Sequence, residues 1–277
     1  MSRIVLITGC SAGIGCDLAQ HLTQSGYTVV ATARNVAALE GSPAALKLPL
    51  DVTRPESIQQ VVESTLQQFG RIDVLVNNAG YSCVAAVEEI SDEQLKQMFD
   101  VNVFGAMRMV RAVVPHMRRQ KAGRIINISS ITGKLVTPVN GAYSATKFAL
   151  EALSDALRLE LEPFGIRVVL VEPGSIHTGF ADRAAALNRE TLTNPDSPYR
   201  ALYRQYEAVS ASMRRGNPGP EAVSRVVEKA IEVSRPKARY LAGAPFSIRL
   251  VIQLGDPVWD LVVRQMFKIA PQSKISV

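Results

Sequence analysis

Six short apolar runs, at residues 3–8, 27–33, 46–50, 73–77, 123–129 and 166–172, alternate with segments of helical period near 13–25, 55–69, 91–118 and 142–163. Runs this short and uniformly apolar suit strands buried on both faces, and the intervening segments are long enough to return the chain for parallel pairing. The expected fold class is α/β, a doubly wound parallel sheet with helices on both faces. Right-handed crossovers in such a sheet put ligands beyond the carboxyl ends of the strands. Pro55 stands where a helix can begin, and Pro163 with Gly165 closes the long helix before the next strand. After residue 174 the pattern changes. A polar, Ala- and Arg-rich stretch over 178–215 reads as a substrate lid, followed by Asn217-Pro218-Gly219-Pro220, a helix to about 233, a short strand near 238–241 and an extension over 244–277. With no internal repeat and no Gly/Ser linker, residues 1–277 are expected to form a single domain with a C-terminal lid extension.

Composition narrows the function classes. A hydrophobic content of 47% with 20% charged residues is that of an ordinary globular chain. The net charge of +6 is scattered apart from Arg118-Arg119-Gln120-Lys121 and Arg214-Arg215, so no basic stripe with aromatics points to nucleic acid. Three cysteines, Cys10, Cys16 and Cys83, without CxxC or Cys/His spacing, imply no metal and suit a reducing compartment. The first apolar run follows the N-terminus directly, with no leader read before it, so a cytoplasmic location is expected. The most apolar stretch, residues 245–267, is broken by Arg249, Gly255-Asp256-Pro257, Asp260 and Arg264, and falls short of the roughly 20 apolar residues of a membrane span. Helices packed over a substrate cleft are favoured there over peripheral membrane contact.

The first run ends in Thr8-Gly9-Cys10-Ser11-Ala12-Gly13-Ile14-Gly15 and a helical segment follows. Glycines let backbone approach a phosphate, and the helix N-terminus offers unpaired N–H groups. After the first strand of a βαβ unit, this is the context of a Rossmann-type dinucleotide site. The second run ends at Ala33 and is followed by Arg34, where an NAD-binding chain would carry an acid for the ribose hydroxyl. A cation there pairs with a 2′-phosphate, to which Ser11 can also donate; the plain alternative is that Arg34 begins a solvated helix. NADP(H) is the expected cofactor.

Tyr143 and Lys147 lie one helical turn apart on one face. A phenol titrates near about pH 10, and a neighbouring ammonium stabilises its anion, so the pair can move a proton near neutral pH. Taken alone, such a spacing is more often a surface pair. Ser129 and Ser130 end the fifth run, where a hydroxyl can orient a carbonyl oxygen or simply turn the chain.

Taken together, TGxxxGIG at residues 8–15, Asn77-Asn78-Ala79-Gly80, Ser130 and Tyr143-Ser144-Ala145-Thr146-Lys147 resemble the short-chain dehydrogenase/reductase family over residues 3 to about 180. The resemblance implies that Asn102 supports a water relay to Lys147, although by itself it reads as a buried polar residue capping or bending a helix. It also implies that Asp51 and Val52 meet adenine, that Asn78, Ala79 and Gly80 line the cofactor, and that Pro173, Gly174, Ile176 and Thr178 hold the nicotinamide. Within the family, Cys10-Ser11, Ala31-Thr32-Ala33-Arg34 and residues 175–180 are most similar to the estrogenic 17β-hydroxysteroid dehydrogenases and retinol dehydrogenases. His177 falls in the cofactor loop and is read as structural or lid-forming.

The implied reaction is hydride transfer between nicotinamide and an alcohol/carbonyl pair. Tyr143 is the general acid/base, Ser130 holds the carbonyl oxygen, and Lys147 lowers the phenol pKa. The competing reading is a non-catalytic NADP(H) sensor on the same fold. Phe180, Leu187, Tyr199, Tyr203, Tyr206 and Phe246 line either an apolar cleft for a bulky steroid- or retinoid-like substrate or the core of the lid. The resemblance further implies a homodimer or homotetramer through the helices at 91–118 and 142–163.

Overall fold

The computed structural model describes residues 2–214 and 216–269. Arg215, the side chain of Phe246 and residues 270–277 of the C-terminal extension lie outside the described residues. Seven strands, β1 (Ile4–Ile7), β2 (Thr28–Ala33), β3 (Leu46–Pro49), β4 (Val74–Asn77), β5 (Gly123–Ile128), β6 (Ile166–Pro173) and β7 (Arg239–Ala242), each begin and end within one residue of the expected runs. They pair in parallel throughout, in the order β3-β2-β1-β4-β5-β6-β7. The order reverses between β1 and β4, so a crevice opens there at the carboxyl ends of the strands.

Both faces of the sheet are covered because alternate strand residues are apolar on each side. Leu6 and Ile125 join a core with helices α2 (Pro55–Phe69), α4 (Ala106–Gln120) and α5 (Gly141–Leu161). Val5, Ile7 and Ile126 join a second core with α1 (Gly13–Gln24) and α9 (Glu221–Glu232). Helix α2 starts at Pro55, whose missing N–H costs nothing in a first turn, and stops at Gly70 in the left-handed conformation (φ 73°). Helix α5 likewise gives way at Leu161 to a short turn through Pro163, ending at Gly165 (φ 74°).

The segment expected as one helix over 91–118 is divided. Helix α3 (Asp92–Phe99), capped by Ser91 and Gln94, runs into a wider π-helical turn over Asp100–Gly105 before α4 begins. Such turns insert one residue into the helical register, here placing Asn102 inward, where it is 2% exposed.

Beyond β6 lie α6 (Phe180–Leu187), α7 (Arg189–Thr193) and α8 (Arg200–Arg214), and after β7 come α10 (Phe246–Leu254) and α11 (Asp256–Met266). A third apolar cluster joins α6, α8 and α11: Ala184, Tyr203 and Tyr206 pack with Val263 and Phe267 and with Val84 and Val139 of the main body. The indole N–H of Trp259 in α11 donates to the Val136 carbonyl (2.5 Å). Among the described residues no helix is long and apolar enough to cross a membrane, and no group of acidic, His or Cys side chains is arranged to hold a metal.

Candidate active site

The glycine-rich turn is fastened to the end of β4. Thr8 Oγ1 accepts from the backbone N–H groups of Asn78 (3.0 Å) and Ala79 (2.9 Å), while the Asn78 amide donates to the carbonyls of Thr8 (2.9 Å) and Gly9 (3.0 Å). Gly9 (φ 76°) and Gly13 (φ 61°) hold left-handed conformations that a side chain would strain. Gly15 is needed for space: a Cβ there would lie 2.3 Å from Gly9 O and 2.4 Å from the Asn78 amide nitrogen. Gly13 sits beneath Thr178, with a Cβ-to-Cβ separation of 3.2 Å were one present, so the loop after β6 closes on the turn. The first turn of α1 has neither a side-chain cap nor an acidic residue, which leaves its N–H groups directed at the crevice. Ser11 beside it is exposed and Ile14 is half-buried. A cradle without side chains at a helix N-terminus fits the pyrophosphate of a dinucleotide.

Arg34 is exposed at the end of β2 and Asp51 half-buried beyond the end of β3. Burial raises the Asp51 carboxyl, but the hydrogen bonds from Thr53 and the charges of Arg54 and Arg34 outweigh it and hold the group below its ordinary range. Val52 packs on the π-helical turn so tightly that a Cβ on Gly105 would lie 2.7 Å from it. Arg34, Asp51 and Val52 thus stand on the β2–β3 side of the crevice, while Asn78, Ala79 and exposed Gly80 form the end of β4.

Tyr143, Lys147 and Ser130 converge beyond β5. Lys147, 6% exposed, donates from Nζ to the Ile128 carbonyl (2.9 Å) and lies 5.5 Å from the centroid of the Tyr143 ring. Ser130 accepts from Thr132 N (3.2 Å), so it does turn the chain, and its hydroxyl is also hydrogen-bonded to that of Tyr143. Burial pushes the Tyr143 hydroxyl above the usual phenol range, and the Ser130 bond offsets this only in part. Burial lowers the Lys147 ammonium to about 8, against the opposing pull of Glu151. Enclosure sets the direction of the Tyr143 shift, and the Lys147 ammonium donates to a carbonyl while lying beside the phenol ring. Asn102 is held from three sides. Its oxygen accepts from Tyr81 N (3.0 Å), and its amide donates to Tyr81 O (2.8 Å) and Thr146 Oγ1 (3.1 Å). This side chain pins the π-helical turn to α5, as a buried helix-bending polar residue would.

Phe180, at the start of α6, faces Tyr143 with ring centroids 5.6 Å apart, tilted by 54°. Pro173 and Gly174 end β6 against β7, where a Cβ on Gly174 would lie 2.9 Å from Gly243 O, and Ile176 packs beside Gly243. His177 is exposed and engaged through its backbone N–H with Pro218 O (3.0 Å). Of the other aromatic and leucine candidates, Tyr203 is 1% exposed and bonded through its hydroxyl to Glu89, hence core, whereas Leu187 is 60% exposed. Sequence reasoning missed Thr8, whose hydroxyl organises the turn. It also missed the ionic cluster of Glu151, Glu172, Lys134 and Arg239 behind Lys147. Glu151 carried a signal, being one further turn along the face of Tyr143 and Lys147.

The chain matches the family model described as short chain dehydrogenase over residues 3–188. It is 37% identical over 241 residues to a 3-ketodihydrosphingosine reductase of Bacteroides thetaiotaomicron, covering 87% of this chain and 88% of that one. Over 280 residues it is 35% identical to human 17-beta-hydroxysteroid dehydrogenase type 1, covering 96% and 85% of the two chains. The crystal structure of a short-chain dehydrogenase from Streptomyces avermitilis superposes with a TM-score of 0.77 at 31% identity, over 97% of this chain and 96% of that one. With the parallel sheet, the glycine cradle and the Ser130-Tyr143-Lys147 cluster, these likenesses establish that the chain belongs to the short-chain dehydrogenase family of oxidoreductases.

Proposed function

We propose that the protein is an NADP(H)-dependent oxidoreductase acting on a bulky, lipophilic alcohol/carbonyl pair, with Tyr143 as general acid/base. The observation that carries this reading is the contact of the Tyr143 and Ser130 hydroxyls above buried Lys147, at the strand ends beside a glycine cradle. Gly9, Ser11, Gly13, Ile14 and Gly15 would hold the pyrophosphate, with Asn78, Ala79, Gly80, Asp51 and Val52 along the adenosine half. Pro173, Gly174, Ile176 and Thr178 would border the nicotinamide, and Arg34 would pair with the 2′-phosphate. When bound, the cofactor supplies or accepts hydride at its nicotinamide ring.

The chain's own residues handle the proton. Ser130 orients the substrate oxygen by hydrogen bonding, and the Tyr143 hydroxyl donates to that oxygen in reduction or accepts from it in oxidation. Lys147, charged, offsets the cost of a phenolate in an enclosed site, and Asn102 fixes the backbone beside it. Phe180 against Tyr143 excludes water and offers a flat apolar face to the substrate. The apolar cluster of α6, α8 and α11 supports a lipophilic substrate, as do relatives named for a ketodihydrosphingosine and a hydroxysteroid. We assign 178–215 as a lid and 244–277 as a C-terminal extension of one single domain, and the cytoplasm as the site of action. Exposed Phe104 in the π-helical turn and Phe148 in α5, at 48% and 42%, support pairing with a second copy through the 91–118 segment and α5.

The test is oxidation of NADPH and NADH by purified protein across ketones from small to steroid- and sphingoid-sized. Faster turnover with NADPH and a bulky ketone is expected. Tight NADPH binding without turnover in either direction would replace this reading with cofactor sensing.

A further inference from the structure

The face of α5 that carries Tyr143 and Lys147 continues one turn further to Glu151, which is 3% exposed. Glu151 Oε2 accepts from Arg239 Nε of β7 (2.9 Å) and lies 3.2 Å from Lys134 Nζ, in the turn after Ser130. Its Oε1 has no hydrogen-bond partner among the described residues. Glu172 of β6, 6% exposed, shares Arg239 Nε with Glu151: its Oε1 lies 3.4 Å from that nitrogen and, like Glu151 Oε1, has no hydrogen-bond partner among the described residues. Asp155 and Arg158 complete the cluster at its rim: Arg239 Nη2 and Arg158 Nη2 donate to Asp155 at 2.6 and 3.1 Å. The turn bearing Ser130 is seated directly on this group, since a Cβ on Gly133 would lie 3.1 Å from Glu151 Cγ and 3.3 Å from Lys147 O. Lys134 and Arg239 are about a third exposed, so the enclosed carboxyls have an edge to solvent.

We propose that Glu151 and Glu172 are a proton-sharing carboxyl pair that sets the charge of Lys147 from behind, and thereby the pH at which Tyr143 exchanges its proton. This rests on the reading of Tyr143 as the proton-transfer group. Two enclosed carboxylates that share one guanidinium nitrogen and each keep an unpartnered oxygen do not both ionise readily, and the pair holds one proton between its oxygens. The groups facing it are Lys147, Asp155 and Arg158 from α5, Lys134 from the turn after Ser130, and Arg239 from β7. Released to solvent past Lys134 and Arg239, that proton leaves two negative charges where there was one, and the Lys147 ammonium is favoured. In the structure burial, then the charge of Glu151, pushes Glu172 up to about 7, so the change falls in the range where the reaction would run. An ion-pair brace between β7 and α5 would explain the salt bridges alone; it gives no reason for enclosed Oε1 atoms on both Glu151 and Glu172 that no hydrogen bond satisfies.

The experiment is an infrared titration of the full chain from pH 5 to 9, with the pH dependence of turnover measured on the same samples. The wild type should show a protonated-carboxyl band that disappears around neutral pH, absent in Glu172→Gln and moved to lower pH in Glu151→Gln. In Glu172→Gln the basic limb of the turnover profile should move down by on the order of one pH unit, because the pair behind Lys147 then carries one negative charge where it had two. A wild type without the band overturns the pair, and requires no variant to fold. A band with an unshifted profile in Glu172→Gln overturns its coupling to Lys147. Normal turnover in Tyr143→Phe would instead overturn Tyr143 as the proton-transfer group, leaving the infrared result to decide the pair by itself.

Discussion

Replacing Gly15 by alanine sets helix propensity against space. In the interior of a helix alanine is better than glycine by about 1 kcal/mol, so Gly15→Ala would stabilise the protein if propensity governed. The structure reverses the sign. The added Cβ would meet Gly9 O at 2.3 Å and the Asn78 amide nitrogen at 2.4 Å, against ordinary contacts of 3.4–4 Å. The start of α1 must therefore retreat by about 1 Å from the end of β4, at an overpacking cost of about 1–3 kcal/mol. After the propensity gain, a net loss of up to about 2 kcal/mol remains, lowering the melting temperature by a few degrees in a chain of this size. Because the retreat moves the cradle and Asn78 together, NADPH affinity should fall at least about tenfold, equivalent to about 1.4 kcal/mol. Gly70→Ala is the control: its φ of 73° imposes backbone strain of about 1–2 kcal/mol, but with nothing within 4 Å it should leave NADPH binding unchanged. Thermal melts and fluorescence titration with NADPH read both effects. A Gly15→Ala protein that melts at or above the wild-type temperature with unaltered affinity would refute the packing argument.

Arg34→Asp should reverse the preference between NADPH and NADH by about tenfold or more, read as the ratio of their kcat/KM values, because attraction for a 2′-phosphate becomes repulsion. For Glu172 the folded-state carboxyl is raised from 4.5 to about 7, so its stabilising contribution is full below about 4.5 and is lost as pH rises through 7. Melts from pH 4.5 to 8 should show that decline in the wild type and not in Glu172→Gln. Tyr203→Phe removes the hydroxyl that bonds Glu89 and accepts from Ala86 N at 3.0 Å, leaving polar groups unpaired; a loss of about 1–3 kcal/mol is expected by denaturant unfolding.

The sheet was legible because each strand is a short apolar run bounded by polar or glycine-rich segments, and a parallel sheet covered on both faces requires that pattern. The cradle was legible for a similar reason: only glycine tolerates the conformations at Gly9 and Gly13 and the contact at Gly15. Three features were not. The break of the 91–118 helix at Asn102 depends on partners at Tyr81 and Thr146, which sequence distance conceals. The direction of the Tyr143 shift depends on how completely the fold encloses the hydroxyl, a tertiary quantity that spacing to Lys147 does not contain. The allocation of aromatics between pocket and lid core depends on orientation: Phe180 turns toward Tyr143 and Tyr203 toward Glu89, although both arise from helical segments of similar composition.

Whether the Tyr143 hydroxyl transfers the proton is decided by its removal. Turnover and NADPH binding should be measured side by side in wild type and Tyr143→Phe with a bulky ketone. NADPH affinity should stay within about twofold of wild type and turnover should fall by at least the 10²-fold or so typical of a lost general acid. Turnover within a few-fold of wild type in the phenylalanine variant would contradict proton transfer by the Tyr143 hydroxyl.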